Sequence, residues 1–263
     1  MIMESTNTIL RTENLHIGYT AKKKSISVAK NINFHLQKGS FVALLGKNGI
    51  GKSTLLRTIS NVQKPLEGAI FMDEKPLESY STKSLATAIS LVLTERLPES
   101  QLTVFELIAL GRQPHTNWVD QLTPLDVEKI ETAMTLTEIT HLSNQRYYEL
   151  SDGQLQRVLI ARALAQDTPL IILDEPTAHL DLHHTLQIFK VLKKLVSETS
   201  KTILISTHEV NLAIKFSDEI ALMTENSFHK DSPKNLIENN IFDTLFPDEI
   251  IRFDKTLQQF VMK

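Results

Sequence analysis

FVALLGKNGIGKSTLLRTI, residues 41–59, is an apolar run that breaks into three glycines and then resumes with helical spacing. Five consecutive apolar residues, Phe41 to Leu45, read as a buried strand. The glycines Gly46, Gly49 and Gly51 free the backbone to wrap closely around an anion with its N–H groups pointing inward. Lys52 and Ser53 then open a helix, which the spacing carries through STLLRTISNV to Val62. The stretch GKNGIGKS, residues 46–53, fits the pattern G-x-x-x-x-G-K-[ST] in its required context, strand before and helix after. In such a loop the lysine reaches the β- and γ-phosphates of a nucleotide, and the serine hydroxyl can ligate Mg²⁺.

A second piece answers the first. LIILDE, residues 170–175, is four apolar residues followed by two acids. Asp174 stands at the carboxyl end of a strand, where open α/β sheets bind ligands, and is placed to hold Mg²⁺. Glu175 can then orient or deprotonate an attacking water. Together the two pieces specify a phosphate-loop NTPase and no narrower class.

Outward from these motifs, strands alternate with helices. AIFMD, ISLVL (89–93), TILIS (202–206) and EIALM (219–223) read as strands, and SLATA as a short helix. That alternation predicts an α/β fold with a mostly parallel sheet covered on both faces. The first forty residues instead alternate apolar and polar, as in NLHIGY and INFHL, and predict an antiparallel β subdomain. Its hairpin tip carries Lys22 to Lys24, a solvated charge run with nucleic-acid contact as the alternative. From about 95 to 150 the spacing is helical, as in VFELIAL and DVEKIETAM, and predicts a helical subdomain inserted into a single domain over residues 1–263. Trp118 and the pair Tyr147–Tyr148 are expected to pack it. The tail from about 225 should hold short helices and a hairpin around DKTLQQ.

Bulk properties remove several function classes. With 263 residues, 41% hydrophobic and 22% charged, the chain has the make-up of a globular protein with a sizeable core. A net charge of −3 gives no basic field for nucleic acid, and zero cysteines exclude disulfides and thiolate metal sites. The start MIMESTNTIL lacks the basic and apolar regions of a secretory signal, and no apolar run reaches the about 18 residues of a membrane span. The expectation is a soluble chain whose membrane role, if any, comes through a partner.

ELSDGQLQR, residues 149–157, leads into a long apolar helix pattern from Leu155 to Ala165. Ser151 and Gln154 have the spacing of a capping box, and Gly153 lies inside the first turn, where free N–H groups could face an anion. Shortly after LSDGQ come LIILDEP, TAHLD (177–181) and ISTHE (205–209). In this order and over nearly the whole chain, the set resembles the ATP-binding-cassette (ABC) ATPases. The resemblance implies ATP and Mg²⁺ as cofactors, and a homodimer in which each ATP lies between one copy's phosphate loop and the other's signature helix. It makes LSDGQ the family signature, with Ser151, Gly153 and Gln154 approaching the partner's nucleotide. It assigns Asp181 to the loop that crosses the dimer interface, His208 to the γ-phosphate, and Tyr19 to stacking on adenine. Asn48 and Thr54 join the phosphate loop, and Lys52, Glu175 and His208 are the catalytic set.

TVFELIALGRQPH, RYYELSDGQ, ARALAQDTPL and DEPTAHLDLHH resemble, more narrowly, the ATPase subunits of bacterial importers for ferric siderophores, haem and cobalamin. That implies transmembrane permease subunits, an extracytoplasmic substrate-binding protein, and a place at the cytoplasmic face of the membrane. Open alternatives are a cassette without a permease, acting in DNA repair or translation, and the ATPase of an exporter. Two residues depart from the family pattern. Thr94, followed by Glu95, stands where glutamine usually senses Mg²⁺, so Thr94 could offer only a shorter oxygen ligand. Asp152 stands where glycine is usual and is expected to point into solvent, away from a γ-phosphate that would repel it. His179 and His183 have the four-residue spacing of a helical metal pair, but no third ligand accompanies them.

Overall fold

The computed structural model describes residues 7–21, 24–93, 100–116, 121–246 and 250–263. In chain order the strands and helices are β1 (Thr8–Ala21), β2 (Lys24–Ile32), β3 (His35–Gln37), β4 (Phe41–Leu45), α1 (Lys52–Ile59), β5 (Glu67–Met72) and β6 (Lys75–Pro76). Next come α2 (Thr82–Ala86), β7 (Ile89–Val92), α3 (Val104–Ala109), α4 (Pro124–Leu136), α5 (Asp152–Ala165), β8 (Leu170–Asp174) and α6 (Leu182–Thr199). The last are β9 (Thr202–Thr207), α7 (Val210–Phe216), β10 (Glu219–Met223), β11 (Phe228–Asp231), α8 (Pro233–Glu238), β12 (Ile251–Asp254) and β13 (Gln259–Met262). They form two compact units, Met1–Tyr80 with Thr202–Lys263, and Ser81–Lys201.

The first unit holds strands of two larger sheets and a two-stranded hairpin. β1 pairs antiparallel with β2, β3 and β5, as the alternating pattern requires, and the hairpin closes with Ala21 opposite Lys24. Lys22 and Lys23 of the expected lysine tip lie outside the described residues. β4 is the centre of the second sheet, with β9 on one side and β10 on the other, both parallel to it. Strands buried on both faces need continuous apolar runs, and all five residues of β4 and all six of β9 are buried. β12 and β13 make the expected C-terminal hairpin, where the ring of Phe242 stacks on Phe253 and Phe260 meets Phe253 edge to face. Helix α1 stops at Ile59 rather than Val62: Ser60 turns its hydroxyl onto the Leu56 carbonyl, and Asn61 takes a left-handed φ of 61°.

The second unit pairs β7 parallel to β8 and packs α3, α4 and α6 on or around α5. Arg112 and Asp126, both buried, clamp this layer: Arg112 donates to Asp126 Oδ1 at 2.8 Å and to the Ala165 carbonyl at 2.7 Å. Hydrogen bonds from Thr123, with the Arg112 guanidinium beside them, lower the Asp126 carboxyl to a pKa of about 2, so the pair is ionised. Of the two tyrosines expected to pack here, Tyr147 does, with its hydroxyl accepting from the Ser100 N–H, whereas Tyr148 is 54% exposed. Successive residues of the one-turn 3₁₀ helix Tyr147–Glu149 point about 120° apart, so Tyr148 turns away from the face that buries Tyr147. Trp118 lies outside the described residues.

Candidate nucleotide site

In the first unit, strand register decides what meets the phosphate loop. Leu45 at the end of β4 sits opposite Thr207 on β9 and Leu222 on β10. The three strands are parallel, so the loop at Gly46 and the turn at His208 leave the same carboxyl edge of the sheet. The loop's glycines are needed for different reasons. A Cβ on Gly46 would come within 2.7 Å of the Met223 carbonyl oxygen. Gly49 has open space but a φ of 78°. Gly51 has both constraints, a φ of 111° and a Val28 methyl where its Cβ would be.

Gly51 is the N-cap of α1, and no side chain caps this helix start, nor does an acid stand in its first turn. Its first-turn N–H groups are therefore the kind of donors that an anion satisfies. Lys52, only 4% exposed, arches back so that Nζ donates to the carbonyls of Gly46 at 3.0 Å and Lys47 at 3.2 Å. Ser53 is partly exposed and Asn48 exposed. Tyr19 shares a 2.6 Å hydrogen bond between its hydroxyl and that of buried Thr54, while 49% of the residue stays exposed. The tie anchors an aromatic ring to the loop's own helix. His208, exposed, has Nε2 3.8 Å from Glu209 Oε1.

In the second unit, β8 is buried throughout and delivers Asp174, 3% exposed, at its carboxyl end. Glu175 follows with a φ of 47°, left-handed for a residue with a side chain. Such strain persists only where the surroundings impose it, and it turns the chain sharply out of the strand. Ser53 and Asp174 both offer hard oxygen donors, the ligand type that Mg²⁺ takes. Thr94 and Glu95 lie outside the described residues.

The signature forms the expected capping box. Ser151 accepts from the Gln154 N–H at 3.4 Å, and Gln154 Oε1 accepts from the Ser151 N–H at 3.0 Å. Asp152 is the first helical residue of α5 and is exposed. Asp181 is the N-cap of α6, its Oδ1 accepting from both the backbone N–H (2.8 Å) and Nδ1 (2.9 Å) of His184. Those bonds hold its carboxyl below the usual range. The sequence offered this in plain form, an acid directly before a helical pattern, and the reading that placed Asp181 at an interface passed over it. His179, with a φ of 68°, precedes α6, so the His179–His183 spacing never becomes one helix face. Among the described residues no group of three or more His, Cys, Asp or Glu could hold a metal ion.

Comparison with known proteins agrees with this geometry. Residues 29–178 match the family model described as ABC transporter. The iron(3+)-hydroxamate import ATP-binding protein FhuC of Bacillus subtilis is 38% identical over 208 residues, covering 79% of this chain and 76% of that protein. Among solved structures, an inward-facing metal-chelate type ABC transporter matches with a TM-score of 0.78 at 29% identity, over 97% of this chain and 96% of that one. A dimeric post-hydrolysis state of an ATP-binding cassette bound to ADP and Pi matches with a TM-score of 0.73 at 28% identity, over 86% and 99%.

Proposed function

The chain belongs to the ABC transporter family and is an ATP-hydrolysing subunit of it, and we propose that it powers import of a chelated metal, namely a ferric siderophore, haem or cobalamin. The observation that carries the ATPase part is the uncapped start of α1 after a loop in which each glycine is favoured by a positive φ, a close contact or both. The importer part is supported by the iron-hydroxamate import relative and the metal-chelate transporter.

In this reading Gly46 to Thr54 bind the phosphates through backbone N–H groups and the Lys52 ammonium, and Tyr19 stacks on adenine. Ser53 and Asp174, with one oxygen from Thr94, would hold Mg²⁺, whose charge would offset that of the phosphate oxygens. Glu175 takes the proton of the attacking water, and His208 steadies the γ-phosphate. Catalysis is then mostly positioning and charge neutralisation. Two copies face head to tail, and the dimeric state of the ADP-bound relative supports the pairing. Ser151, Gly153 and Gln154 of each copy meet the ATP of the other, and Asp181 lies in the crossing loop. Residues from about 95 to 150 serve as the helical subdomain that docks permease subunits, and the tail from about 225 packs on the core. No described helix is long and apolar enough to cross a membrane. In this reading attachment to the cytoplasmic face runs through those permeases. An extracytoplasmic binding protein acts on the far side.

The test is to purify the tagged chain from solubilised native membranes and identify what accompanies it. A polytopic permease of the metal-chelate type is the expected result. Ribosomes, DNA or a wholly soluble assembly would leave the ATPase standing and sink the transport reading.

A further inference from the structure

His184 has been given no role so far, yet it touches both the signature and the Asp181 loop. Gly153 is absent from the positive-φ glycines, so its backbone would accept any residue. What excludes a side chain there is space: a Cβ would lie 2.5 Å from His184 Cδ2 and 2.9 Å from its Cγ. The start of the signature helix therefore rests directly on the imidazole ring. The ring itself is fixed from two sides. Its Nδ1 is bonded to Asp181 Oδ1 at 2.9 Å, and His183 meets it edge to face at 5.7 Å between centroids. His183 is held in turn by the Gln187 amide at 2.9 Å.

We propose that His184 is a positioning residue that locks the signature start, Ser151–Gln154, to the Asp181 cap of the crossing loop, so that both are presented to a partner copy's nucleotide as one rigid piece. The inference rests on the head-to-tail homodimer of the proposed function. Its physical basis is that the ring, whose side chain is 37% exposed, lies against Gly153 on one side and is bonded to Asp181 on the other, so that moving either neighbour disturbs the ring's contact with the other. A loop and a helix start that moved separately would have to be ordered together at each closure, and that ordering would weaken the pairing.

The experiment uses the full chain carrying Glu175→Gln, which should bind ATP, hydrolyse it very slowly and accumulate as a dimer, read by analytical ultracentrifugation against ATP concentration. Adding His184→Ala should raise the ATP concentration for half-maximal dimerisation about tenfold, a typical coupling for contacting groups. Affinity for a fluorescent ATP analogue, measured at protein concentrations too low for pairing, should stay unchanged. A residue that merely stabilised α6 would lower the melting temperature without separating these two readouts. His184→Asn retains an N–H for Asp181 and should recover most of the pairing, whereas His184→Phe retains only the ring and should recover less. Dimerisation of the Ala variant at the parent's ATP concentration overturns the proposal. If that variant does not fold, parent-like pairing by His184→Phe overturns it, because the Asp181 bond would then be dispensable. A Glu175→Gln parent that stays monomeric in ATP overturns the homodimer reading itself, and this proposal with it.

Discussion

At Gly51 helix α1 begins with no side chain over its first turn and no acid within it, whereas at Ser151 helix α5 begins with a closed capping box and Asp152 as its first residue. Both stretches read in the sequence as helix starts that could face phosphate. Their chemistry differs. The donors of α1 must be satisfied from outside, and the positive end of the helix adds to the pull on an anion. Those of α5 are in part satisfied already, and an acid stands beside them. On the proposed function, α1 captures nucleotide alone, while α5 joins only a nucleotide that another copy already holds.

Four substitutions break or sharpen that contrast. Lys52→Ala removes the buried ammonium of the loop and should lower kcat/KM for ATP hydrolysis about 10²–10³-fold, the usual cost of a buried charge-stabilising donor. A steady-state phosphate-release assay reads it, and near-normal turnover would unseat Lys52. Gly51→Ala brings a methyl group onto Val28 at a φ of 111° and should cost about 1–3 kcal/mol of stability, together with nucleotide binding. Thermal unfolding with and without ATP separates the two losses; if ATP stabilises the variant as it does the parent, the loop tolerates the strain. Ser151→Ala opens the capping box and should cost about 1 kcal/mol by chemical denaturation. It should also weaken ATP-driven pairing and spare single-copy nucleotide affinity. A loss of single-copy affinity would mean that α5 contacts its own copy's nucleotide. Asp152→Gly should do least, changing nucleotide affinity by less than about twofold and stability by no more than about 1 kcal/mol, since an exposed first-turn acid interacts mainly with its own helix end. A large gain in ATP affinity, seen by titration calorimetry, would mean that the carboxylate does face phosphate.

The parts legible in the sequence were those set by local rules. Period-two and continuous apolar patterns placed the strands, the Ser151–Gln154 spacing gave the capping box, and Gly46 to Ser53 announced the loop. What a residue touches across the fold was not legible. Gly153 reads as a glycine chosen for backbone freedom, but its φ is ordinary and the reason for it is a ring on α6, which no local pattern connects to LSDGQ. The hydroxyl tie from Tyr19 to Thr54 was hidden for the same reason, since only the antiparallel β subdomain brings those two together. Tyr148 shows the converse failure: two adjacent aromatics looked equivalent, and the turn buries one and exposes the other.

Glu175, with its φ of 47°, has a consequence for how this chain can evolve. The left-handed region favours glycine or asparagine over glutamate by about 1 kcal/mol or more. A lineage selected only for heat resistance or yield would therefore drift away from glutamate at this position and gain stability as it did so. On the proposed function, retaining a carboxylate there requires selection on turnover, against the folding preference of its own backbone.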